Sequence, residues 1–170
     1  MNSVFPLSCS DAHRRHGVTP DRDAYMLGWE KGVREYCVPS NGFSAGESGQ
    51  PNNNVCPEDL REDFVQGYQR GRSIHLTRAR VEALETKIEE GTARLQEVRK
   101  EIISTAAAQL NPLLTPSRRA ELVAEVQGLN DEKNRLVGDL PRLRDELVTQ
   151  ERALDDLQQA MASSSFSIGN

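Results

Sequence analysis

The sequence predicts an all-α protein: a small disulfide-stapled two-helix domain carrying a long antiparallel coiled-coil hairpin. Three observations predict it. An apolar repeat on alternating steps of three and four runs through most of the second half. A short break with two prolines, Asn111–Pro116, divides that repeat in two. A Gly/aromatic phrase appears twice in the first half, and a cysteine stands near each copy. With 36% hydrophobic and 28% charged residues among 170, the chain suits thin helical packing better than one thick core. The expected division is residues 1–76 for the small domain, 77–162 for the hairpin and 163–170 for a polar, patternless, disordered tail.

In the small domain, Thr19-Pro20-Asp21 and Cys56-Pro57-Glu58 each read as a helix start, with Pro at the first helical position and acids in the first turn. Each leads into the same phrase. Tyr25-x-x-Gly28-Trp29-x-x-Gly32 recurs 39 positions later as Phe64-x-x-Gly67-Tyr68-x-x-Gly71. A glycine inside a helix costs about 1 kcal/mol against Ala, so these four need a reason. Gly28 and Gly32 share one face, as do Gly67 and Gly71. The expectation is that the two bare faces pack closely while the flanking aromatics close over the seam. A membrane dimerisation stripe is the other use of this spacing, and the charged surroundings argue against it.

Residues 37–56 form a Gly-, Asn- and Ser-rich stretch with the Asn41-Gly42 turn signal and no helical period. It is expected to be a loop. Cys37 and Cys56 are either bridged across its base or are two buried free thiols; their placement favours the bridge. That crosslink would contribute roughly 3 kcal/mol for a loop of about 20 residues.

In the hairpin, Ile74, Val81, Leu84, Ile88, Leu95, Val98 and Ile102 mark the first helix, with Thr77 and Gly91 as weak links. After Asn111-Pro112-Leu113-Leu114, Thr115 is placed to cap and Pro116 to start the second helix. Leu122, Val126, Leu129, Leu136, Leu140, Leu143, Leu147, Leu154, Leu157 and Met161 continue the step, interrupted by Lys133 and Gln150. So short a connection implies antiparallel neighbours. Pro141 should kink the second helix.

Charge and composition narrow the function. The net charge of -5 resides entirely in residues 81–170, and no basic cluster suited to a phosphate backbone is visible, so nucleic acid is not an expected partner. No apolar run reaches the roughly 20 residues of a membrane span. Met1–Ser10 lacks the basic and apolar regions of a complete signal peptide. No nucleophile motif and no phosphate loop stands out, and an enzyme is not expected. Cys9, His13 and His16 are the one candidate metal set, but zinc sites usually bring a second ligand cluster; no metal and no cofactor is expected.

The small domain also carries a set of ordered motifs. They are His16-Gly17-Val18-Thr19-Pro20-Asp21, Ala24-Tyr25-x-x-Gly28, and Tyr36-Cys37-x-Pro39-x-Asn41-Gly42-Phe43-x-x-Gly46. Val55-Cys56-Pro57 and Gly67-Tyr68-x-x-Gly71-Arg72 follow. Over about residues 13–75 this resembles the domain-of-unknown-function 2799 family, small envelope proteins of proteobacteria, many of them lipoproteins. Relatives tend to carry a Tyr before the second Cys, where this chain has Gln50-Pro51-Asn52-Asn53-Asn54. The resemblance implies a periplasmic or outer-membrane-associated protein and supplies no catalytic residue. The expected function is therefore a non-enzymatic, envelope protein-binding module. The alternatives are an immunity-type inhibitor of a periplasm-delivered toxin, a metal-dependent protein using Cys9, His13 and His16, and a spacer that self-associates through its helical arm.

Overall fold

A computed structural model describes residues 21–166, which form four helices and, among the described residues, no strand. They are α1 (Arg22–Tyr36), α2 (Pro39–Glu47), α3 (Glu58–Ala108) and α4 (Pro116–Phe166). The chain divides into two compact units between Arg72 and Ser73, so α3 contributes its first turns to one unit and the rest to the other.

The first unit differs from expectation in its middle. Residues 37–56 are not a plain loop, because α2 occupies Pro39–Glu47. Val38 is extended and Pro39 opens the helix, the position where a missing N–H costs nothing. Asn41 Nδ2 donates to the Tyr36 carbonyl at 3.0 Å, tying the start of α2 to the end of α1. The helix ends where Gly49 takes a positive φ of 75°, a conformation that suits glycine. The Cys37–Cys56 disulfide then closes the segment, with Cα atoms 5.6 Å apart. Both cysteines are buried with Phe64, and Val33 and Leu60 pack around them. Peptide mapping without reductant should recover Cys37 and Cys56 in one crosslinked species and Cys9 outside it. Recovery of Cys9 bridged to either would contradict this arrangement. Cys9, His13 and His16 themselves lie outside the described residues.

The second unit is the hairpin. Its seam follows the predicted step: Ile74, Leu84, Val98, Leu122 and Leu140 are buried, and the remaining seam positions are at least half-covered. Gly91 has a packing role, since a Cβ built there would stand 3.1 Å from Leu140 Cδ2. The weak link in one helix thus makes room for a leucine of the other. Thr115 caps α4 by accepting the Arg118 N–H at 3.2 Å, and Pro116 is the first helical residue. The helix runs on through Pro141. It also runs past residue 162 to Phe166, so the tail expected from 163 begins in helix. No breaker separates Gly71 from Thr77, and α3 is continuous where a boundary at 76/77 was expected.

Polar contacts cross the seam as well, among them the Arg80–Glu146 pair at 3.1 Å and a larger node at Arg94. Arg94 Nε and Nη2 donate to the two carboxylate oxygens of Glu132 at 2.7 and 3.0 Å, and Nη1 donates to Glu97 and Glu101. A forked guanidinium facing a carboxylate fixes the register of the two helices. The Arg94 hydrogen bond holds the Glu132 carboxyl below the ordinary carboxylate range. A folded-state value that is lowered gives stability above the unfolded value, lost as pH falls through the folded one. Acid titration of melting should therefore show a falling limb that Glu132→Gln flattens. An unchanged limb would remove Glu132 from the account. The node is partly exposed, so the effect is small and shrinks in salt.

Candidate functional site

The site is built on α1. Asp21 caps it, its Oδ1 accepting from the N–H groups of Asp23 and Ala24, each at 3.0 Å. At its other end Val33 faces the Cys37–Cys56–Phe64 core, and Tyr36 packs on Phe64 with ring centroids 5.4 Å apart. Arg34 Nη1 donates to Asp59 Oδ2 at 2.8 Å, joining α1 to the first turn of α3 and holding the Asp59 carboxyl below its usual range.

The glycine pairs do not meet as expected. A Cβ added at Gly28 or Gly32 would meet nothing within 4 Å. Tyr25 and Trp29 do not close a seam; they are 68% and 51% exposed. The close partner of Gly67 and Gly71 is instead the unforeseen α2, through Gly42 and Gly46. A Cβ at Gly42 would strike the Phe64 carbonyl oxygen, and one at Gly46 the Tyr68 carbonyl oxygen. From the other side, Gly67 abuts the Pro39 carbonyl and Gly71 the Phe43 carbonyl. Two helices with glycines four apart have thus been brought to backbone contact. Phe64 is buried beside this crossing, and Tyr68 donates its hydroxyl to the Gln50 carbonyl at 2.8 Å.

This crossing leaves α1 underused by the fold. None of its 15 residues is fully buried. Met26, Leu27, Trp29 and Val33, with Val55 and Pro57 from the segment before α3, line a groove of about 430 Å³. Asp23, Glu30 and Arg34 supply its polar part. Met26, Trp29 and Val33 are spaced three and four apart, so they form one stripe along the helix. A concave apolar surface with a few polar groups is what recognises a side chain or a short helix of another molecule. The clue in the sequence is the apolar residues of α1, of which Tyr25 and Trp29 are expected at a glycine seam and Met26, Leu27 and Val33 at none. Among the described residues, no group of three His, Cys, Asp or Glu side chains could hold a metal ion. No helix there is long and apolar enough to cross a membrane.

Residues 7–73 match the model of the family described as Protein of unknown function (DUF2799). That span covers the disulfide, the α2–α3 crossing and the groove. No curated protein and no solved structure matches the chain.

Proposed function

Taking a DUF2799 first unit as the premise, we propose that the protein is a non-enzymatic binding module of the cell envelope that docks a partner protein on the α1 groove. The observation that carries this reading is α1 itself: a capped helix whose apolar stripe packs on the core only at Val33 and leaves Met26 and Trp29 about half exposed beside the groove. Exposed aromatic and aliphatic side chains beside a groove, ringed by charge, are the usual makeup of a binding hot spot. The disulfide supports an oxidising compartment, because glutathione keeps most cytosolic thiols reduced. The immunity-type reading draws on acidity, yet the acidic excess lies in residues 81–170 while the groove is lined by apolar residues with Asp23, Glu30 and Arg34.

The test compares the chain with its Met26→Ser, Trp29→Ser double variant as bait in envelope extract, with helicity checked for both. A defined protein captured by the first and lost from the second supports the groove. Equal capture by both would place binding elsewhere and defeat the proposal.

A further inference from the structure

The turn between α3 and α4 has a surface unlike the rest of the hairpin. Leu110 is 83% exposed and Leu113 is 89% exposed. Near the end of α3, Ile103 is 70% exposed as well. The turn is held in shape by its own hydrogen bonds: the Asn111 side-chain Oδ1 accepts the Leu113 N–H at 3.0 Å, and the Asn111 carbonyl accepts the Leu114 N–H at 3.3 Å. The leucines are therefore presented by an ordered turn.

Charge is segregated at the same end. From Ile102 through Ala120 there is no acidic residue, and the charged side chains are Arg118 and Arg119. Both are exposed in the first turn of α4, with Arg118 also paired to Glu121 at 2.8 Å. Beyond them, residues 121–166 carry ten acids against five bases. The end of a two-helix hairpin is convex, so its leucines have no groove of their own to fill. A partner must offer an apolar recess for them, which the acyl boundary of a bilayer does without a preformed pocket, and must tolerate or attract positive charge.

We infer that the hairpin tip is a membrane-surface contact, in which Leu110 and Leu113 enter the acyl boundary of a bilayer and Arg118 and Arg119 lie among anionic phospholipid headgroups. Shallow apolar insertion backed by basic residues is a known basis for reversible attachment to such surfaces. The long stems of the arginines let their charged ends stay at headgroup level while the leucines go deeper. Two leucines and two arginines make a weak anchor, so the contact is reversible and sensitive to salt.

Flotation of the full chain with phosphatidylcholine–phosphatidylglycerol vesicles, and with pure phosphatidylcholine vesicles, tests this. The chain should float with the anionic vesicles, lose most of that binding in high salt, and bind the neutral vesicles about tenfold less. Leu110→Ser with Leu113→Ser should abolish flotation without changing helicity, because neither side chain is packed. Arg118→Gln with Arg119→Gln should weaken it, and Trp29→Ser should leave it unchanged. Absence of flotation with anionic vesicles would overturn the inference. So would flotation that survives the leucine pair, or a leucine-dependent dimer in place of vesicle binding.

Discussion

Gly46→Ala should unfold the first unit or cost roughly 3 kcal/mol or more, the upper end for overpacking a tight contact. The added Cβ would fall on the Tyr68 carbonyl and close to the Arg72 amide nitrogen. These are backbone atoms inside a helix and cannot swing aside as a side chain would. Gly71→Ala should behave the same way, against the Phe43 carbonyl and the Glu47 amide. The matched controls are Gly28→Ala and Gly32→Ala. Their Cβ atoms meet open space, so each should stabilise α1 by up to about 1 kcal/mol through helix propensity. Denaturant melts of the four variants decide the matter. Equal effects at all four positions would mean that the glycine phrases are equivalent and that α2 is not the partner.

Leu140→Asp should cost roughly 4 kcal/mol and open the hairpin. Leu140 is almost fully buried and faces the space left by Gly91, so the variant loses a packed side chain and buries a charge without a partner. Val137 on the same helix is exposed, and Val137→Asp should change stability little. Hydrogen exchange resolves where the damage falls. Peptides from 81–102 and 122–157 should lose protection in Leu140→Asp and keep it in Val137→Asp. If both variants exchange like the parent chain, the seam is wrongly placed.

These two predictions rest on different degrees of legibility. The hairpin could be read directly, because a 3.5-residue apolar step is a property of sequence alone and Thr115-Pro116 is a local helix start. The disulfide was legible from where Cys37 and Cys56 stand. The α2 helix was not, because the local signals pointed the other way. Asn41-Gly42 and Gly46 lower helix propensity, and the crossing that offsets this cost is a tertiary contact. The usable clue was spacing: Gly42 and Gly46 are four apart, as are Gly67 and Gly71, and Pro39 stands at the first helical position. The repeat misled at Gly28 and Gly32, since equal phrases in two helices suggest equal roles. The fold uses one copy for a backbone crossing and leaves the other beside the groove. That difference is what exposes Trp29, and a residue's freedom from the core cannot be read from its own sequence.

Trp29 is also where the functional account is most directly tested. Replacing it with a photoreactive aromatic amino acid, in cells that produce the chain, should yield a discrete adduct of higher mass on illumination. The same replacement at exposed Glu62, on α3, should not. A single partner band from position 29, lost when Met26→Ser is added, is the result expected of a protein docked on the α1 groove. A band of twice the chain's own mass would make the groove a self-contact. A crosslink confined to residues 1–20 of the same chain, or equal labelling from Glu62, would contradict the claim that this face binds a partner protein.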